Sequence, residues 1–204
     1  MTPLILDLGN RKEPGLLPPG PLEIALYGDG SFSCEAQAGA WAAHAPALGL
    51  HVTGIGRGCS SEQFELLALL EGMRSVLAID HTARPLNLHT DSDITLTVVR
   101  CLSTRSELPA RKSFDCLREL YAHARNVIGT RSMHASKART GSPFHRVCHC
   151  AARRALRAHV RILLVTDFEV RLRYEECRRK QCLLELEKLR GRTSQVEDSL
   201  GGMH

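Results

Sequence analysis

Between Glu23 and Ile55 the chain carries three short apolar stretches separated by turn-forming residues, a pattern that fits adjacent strands better than helices. In Glu23 to Ser33, Ile24, Leu26 and Gly28 alternate with Ala25, Tyr27 and Asp29, the period of two that a strand requires. Gly39 to His44 and Leu50 to Ile55, split by Pro46 and Gly49, continue the pattern, so an antiparallel three-stranded meander is expected. After Ser60 the period changes. Phe64, Leu67, Leu70, Met73 and Leu77 recur at helical spacing to about Ile79, with Ser60 or Ser61 as the cap. This helix is apolar on most sides and is expected to lie against the sheet. Pro85 to Thr90 then reads as a short strand and Ile94 to Leu102 as a helix. A basic loop from Arg105 to Lys112, broken by Pro109, leads into a helix at Ser113 to Ala124. Val127 to Met133 reads as the last strand, Ser136 to Ser142 as a flexible loop, and Pro143 onward as a helix with proline in its first turn. The order is βββ, α, β, α, α, β, α, an α/β chain.

The 204 residues are enough for one core domain and appendages. Gly9, Pro14, Gly15 and Pro18-Pro19-Gly20-Pro21 mark residues 1–21 as a disordered leader, and the domain is expected to span 22–158. Arg153 to Val165 can prolong the last helix, and Phe168 to Arg190 is a further helical candidate. Together they predict a basic helical extension at 159–192, followed by a disordered tail at 193–204. No stretch approaches the ~20 apolar residues of a membrane span, and the N-terminus lacks the pattern of a signal peptide. A cytoplasmic location is the resulting expectation. The eight scattered cysteines are then expected to be reduced.

Charge is unevenly distributed. Residues 1–99 hold 5 Lys/Arg against 11 Asp/Glu, residues 100–139 hold 9 against 3, and residues 153–192 hold 12 against 6. An acidic half is thus followed by two basic segments. Such segments either hold a polyanion, of which nucleic acid is the simplest, or are solvated helix faces.

Three carboxylates stand in local frames that invite chemistry. Asp29 lies in Tyr27-Gly28-Asp29-Gly30-Ser31, among apolar strand residues where an acid is disfavoured without compensation, although Asp-Gly is also a common turn signal. Glu65 has Ser61, Glu62, Ala68 and Leu69 as its helical neighbours, so no local Lys or Arg neutralises it; the alternative is a place on the wet side of the helix. Asp91 follows the fourth strand, where it, or Ser92, can instead cap the next helix. Taken together, acids at these places call for a divalent cation and point to phosphate-ester chemistry.

First strand, first helix and fourth strand each deliver one acid, and in that order the three segments resemble the type 1 ribonuclease H family. Tyr27-Gly28-Asp29-Gly30-Ser31 is similar to its first-strand motif, Glu65-Leu66-Leu67-Ala68 to its helix motif, and Thr90-Asp91-Ser92 to its fourth-strand motif. The resemblance covers about residues 22–158. It implies a ribonuclease H-like mixed sheet of five strands in the order 3-2-1-4-5, flanked by helices. It also implies endonucleolytic hydrolysis of the RNA strand of RNA/DNA hybrids with two divalent cations, Mg²⁺ or Mn²⁺, held by Asp29, Glu65 and Asp91. Arg105, Arg111 and Lys112 fall where many members carry a basic helix and loop for the hybrid. Ser61 stands, with Glu62, where members often have a pair of amides at the minor groove, and Lys137 and Arg139 add basic side chains. His134 matches a histidine that assists proton transfer or product release.

Members usually carry a fourth acid on the last helix. Here no acidic residue occurs between Glu119 and Asp167, and aligning Phe144 to Ala152 with that helix places His149 at the acid's position. A nitrogen ligand there would favour Mn²⁺ over Mg²⁺, and binding would weaken below about pH 6.5 as imidazole protonates. His145, four residues earlier, with Cys148 and Cys150 nearby, raises a zinc site as an alternative. Two other functions keep the fold: a nuclease or resolvase acting on structured DNA, and a weakly active nucleic-acid-binding scaffold. The C-terminal helices can serve a protein partner, self-association or nucleic acid.

Overall fold

A computed structural model describes residues 6–7, 23–82, 84–128, 132–139 and 141–201. Most of the expected leader lies outside these residues. The chain divides into two compact units, residues 1–160 and 161–204.

The first unit is built on a sheet. Strands β2 (Ile24–Ser33), β3 (Ala38–Ala45) and β4 (Leu50–Arg57) form the antiparallel meander, with Tyr27 opposite His44 and Ala42 opposite Thr53. β5 (Leu86–Thr90) runs parallel to β2, and β6 (Met133–Lys137) parallel to β5. Counted from β2, the order across these five is 3-2-1-4-5. A two-residue strand, β1 (Leu6–Asp7), adds itself antiparallel to the β4 edge, so this part of the leader is paired.

Helix α1 (Ser61–Ile79) covers one face. Phe64, Leu66, Leu69, Met73 and Val76 share a core with Ile24, Leu26, Trp41, Leu86 and Leu88. Each fully buried side chain of this kind stabilises the fold by about 1.5–3 kcal/mol relative to exposure. Val98, Val99 and Leu102 of α2 (Asp93–Thr104), and Tyr121 and Ala124 of α3 (Arg118–Ile128), extend that core. The other face takes α4 (Pro143–Thr166), whose Cys148 and Ala152 pack on Ala42 and Tyr27. The alanines of β3 explain this layering. Small residues on both faces of a central strand let helices approach closely from either side.

Three expected boundaries move. The last strand is Met133–Lys137 rather than Val127 to Met133. The β-branched Val127 and Ile128 are strand-forming residue types, but they close α3, whose Tyr121 and Ala124 are already anchored in the core at helical spacing. The strand then uses Ser136 and Lys137, which the sequence pattern assigns to a loop. The helix expected at Ser113 to Ala124 starts with a 3₁₀ segment, Lys112–Leu117, before α3.

The second unit holds the end of α4 and α5 (Phe168–Gly201). Asp167 Oδ1 accepts the Val170 amide at 3.1 Å and caps α5. The helix runs on through 193–201, expected from sequence to be disordered; Gly202–His204 lie outside the described residues. Exposed Lys, Arg and Glu are good helix formers, and Glu176 pairs with Lys180 one turn on at 2.7 Å. No helix of the described residues is long and apolar enough to cross a membrane.

Candidate metal centre

Asp29 sits inside β2, not in a turn, and is 2% exposed. The parallel register sets Tyr27 beside His89, and two residues further along each segment Asp29 and Asp91 come near one another. Gly30 brings the third acid in. A Cβ there would lie 2.4 Å from the Glu65 backbone nitrogen and 2.5 Å from the Phe64 carbonyl carbon, so only glycine lets β2 touch the first turn of α1. Glu65, 8% exposed, receives hydrogen bonds from the Gly30 amide and, at 3.2 Å, from Thr90 Oγ1, and lies within hydrogen-bonding reach of Asp29.

Two caps leave the acids to the site. Ser60 Oγ accepts the Gln63 amide and caps α1; Ser92 Oγ accepts the Thr95 amide and caps α2, a role that Asp91 therefore does not take.

The electrostatics follow from burying like charges together. Burial, then the charges of Asp29 and Asp91, push the Glu65 carboxyl up to about 9. Burial also raises Asp29, opposed by His145 and His149 and assisted by Asp91. With Asp29 and Glu65 buried and Asp91 exposed beside them, charging all three calls for a compensating cation.

Helix α4 faces the acids with two histidines one turn apart. His149 Nδ1 lies 3.0 Å from Asp29 Oδ2. His145 Nε2 lies 3.7 Å from Asp29 Oδ1 and 3.6 Å from Asp91 Oδ1. The ligand atoms of Asp29, Asp91 and His145 all fall within 4.8 Å of one another. His145 Nε2 is buried and, among the described residues, makes no hydrogen bond, so its lone pair or proton is left to the two carboxylates at ion-pair distance or to a cation. Oxygen donors with an unpartnered imidazole nitrogen fit a dication, so the residues present suit the metal that this site calls for.

The expectation about His149 thus needs a partner. His145 is the histidine aimed between two acids, and the signal for it was present as the i, i+4 spacing with His149. The cysteines of the considered zinc cluster stand apart. Cys148 Sγ donates to the Tyr27 carbonyl, and burial pushes its thiol up to about 12, while Cys150 is exposed.

His134 is not brought to the acids. It pairs in register with Asn87 near the start of β5, whereas Asp91 follows the end of that strand, and its Nε2 lies 3.2 Å from a Glu23 carboxylate oxygen. The cause is the strand boundary: with β6 at Met133–Lys137, His134 falls inside the strand instead of after it. Ser61, on the same helical face as Glu65, is exposed, as are Arg105, Arg111, Lys112, Lys137 and Arg139. Lys137 Nζ pairs with Asp93 at 2.7 Å.

No protein-family model and no curated protein matches the chain. Among solved structures, RNase H1 of the halophilic archaeon Halobacterium salinarum NRC-1 is similar over 67% of this chain and 98% of its own, at 17% identity and a TM-score of 0.48. The N-terminal RNase H domain of rv2228c from Mycobacterium tuberculosis, solved as a fusion with maltose-binding protein, covers the same shares at 18% identity and a TM-score of 0.50. With the sheet order above, the second likeness establishes the fold as ribonuclease H-like.

Proposed function

We propose that this chain, ribonuclease H-like in fold, is a metal-dependent endonuclease that hydrolyses the RNA strand of RNA/DNA hybrids. The observation that carries the reading is the convergence of Asp29, Glu65 and Asp91, from a strand, a helix and a strand end, on one acidic site in which Asp29 and Glu65 are buried and Asp91 is exposed. Residues 22–158 carry the chemistry, and 159–192 act as a basic extension.

Asp29, Glu65 and Asp91 hold the divalent cations, with His149 at the position of the family's fourth acid. Bound there, such ions activate water and stabilise the leaving oxygen of a phosphodiester. The chain's own groups prepare the site. Gly30 and Thr90 fix the Glu65 carboxylate, and His149 fixes Asp29 through its second oxygen. The exposed side chains of Arg105, Arg111, Lys112 and Arg139 can follow the phosphate backbone, and Lys137 can do so on leaving Asp93. Ser61, exposed one turn before Glu65, contacts the minor groove in this reading, where 2′-hydroxyls mark the RNA strand. A nitrogen donor among the oxygens favours Mn²⁺ over Mg²⁺.

Labelled RNA/DNA hybrid, double-stranded RNA and DNA junctions, incubated with Mg²⁺ or Mn²⁺, test the reading. Hybrid cleavage that Asp29→Asn abolishes supports it. Cleavage of junctions instead identifies a structured-DNA nuclease, and binding without cleavage of anything identifies a scaffold.

A further inference from the structure

His145 enters the acidic site in a way that none of the three acids requires. Its side chain is 13% exposed, and its Nε2 stands 3.6–3.7 Å from one oxygen of Asp91 and one of Asp29, too far for hydrogen bonds to either. Nε2 is buried and makes no hydrogen bond among the described residues, and a cation ligated jointly by these three groups would satisfy it. Ligand atoms about 2.0–2.2 Å from one dication stand roughly 3–3.6 Å apart, close to the spacing seen. The ring is also held in position. The His145 amide donates to Ser142 Oγ at the start of α4, and the adjacent Phe144 packs 5.3 Å from Tyr27, which stacks on His89 at 4.5 Å. His149 differs in each respect: its side chain is 48% exposed and its Nδ1 is engaged by the other oxygen of Asp29.

We propose that Asp29, Asp91 and His145 form a dication site with His145 Nε2 as its nitrogen ligand, while His149 is a positioning residue that orients the Asp29 carboxylate. The inference rests on the proposed function only in requiring a bound dication. One imidazole among carboxylates suits borderline ions such as Mn²⁺, Co²⁺ or Zn²⁺ better than Mg²⁺, so the metal preference resides in His145.

Pulsed electron paramagnetic resonance of the full chain loaded with Mn²⁺ alone reads ligand nitrogen directly. The unmutated protein and His149→Gln should both show nitrogen modulation, and His145→Gln should lack it. Growing the unmutated protein on ¹⁵N-histidine should convert the pattern to that of ¹⁵N, which identifies an imidazole without relying on the folding of any variant. Calorimetric titration should show Mn²⁺ affinity falling at least about tenfold in His145→Gln, with Mg²⁺ affinity falling less. Modulation that survives in His145→Gln and vanishes in His149→Gln overturns the assignment. So does bound Mn²⁺ without nitrogen coupling, or no Mn²⁺ binding at millimolar concentration. Nitrogen coupling in a protein that cleaves no nucleic acid leaves this site standing and removes the proposed reaction; cleavage with oxygen-only coordination does the reverse.

Discussion

Asp29 and Glu65 are buried beside one another, and the cost of keeping both charged decides how the site behaves without metal. Glu65 has an ordinary value of 4.5 and is pushed up to about 9 in the fold, so the folded state binds a proton that the unfolded chain loses between those limits. Its contribution to stability is complete below about pH 4.5 and is lost as pH rises toward 9. The melting temperature of metal-free protein should fall across this window, and Glu65→Gln should flatten the fall. Saturating Mn²⁺ needs the charged carboxylates, so it should raise the melting temperature more at pH 8 than at pH 6; an equal gain at both would contradict the shift. Asp29→Asn should lower divalent-dependent cleavage at least about 100-fold, because removing a metal ligand forfeits several kcal/mol of charge stabilisation. Gly30→Ala tests the backbone approach. Its Cβ meets α1 backbone and not a flexible side-chain end, so thermal melts should show destabilisation of about 1–3 kcal/mol, typical of overpacking.

Helix ends set where these side chains point. Ser60 caps α1 one turn before Glu65, and Ser60→Ala should cost about 1 kcal/mol, read as a lower denaturation midpoint at unchanged slope. A change in slope would mean that the substitution acts beyond the cap. The elements also differ in how legible they are in the sequence. Period-two and helical patterns locate β2 to β5, α1 and α2 to within a few residues, because each carries an apolar run or face that the core covers. The pattern fails at Val127 and Ile128, two β-branched residue types that suit a strand or a helix end equally. Only the parallel pairing of Leu86 with Met133 identifies the strand that follows. That displacement carries His134 away from the acids.

For the whole molecule the question is where nucleic acid would be held. Residues 143–166 contain five Arg and no acid, whereas 168–201 contain eight Lys/Arg and seven Asp/Glu, so most of the net positive charge of the C-terminal region lies in α4 rather than α5. Replacing the exposed Arg153, Arg154 and Arg157 by Gln should flatten the dependence of hybrid affinity on salt, by about one unit of logarithmic slope for each phosphate no longer neutralised. Deleting 167–204 should change that slope less; the opposite ranking would place binding on α5. By itself the sequence determined the order of elements and the three acids, since apolar periodicity and unneutralised carboxylates are local properties of the chain. It also held the His145 and His149 pair, one helical turn apart. Only the tertiary structure decided which of the two enters the space between Asp29 and Asp91, because that depends on how α4 is seated by Phe144, Tyr27 and Cys148. It alone also excluded His134, since which end of a strand a residue occupies is settled by its pairing with a neighbour distant in the chain.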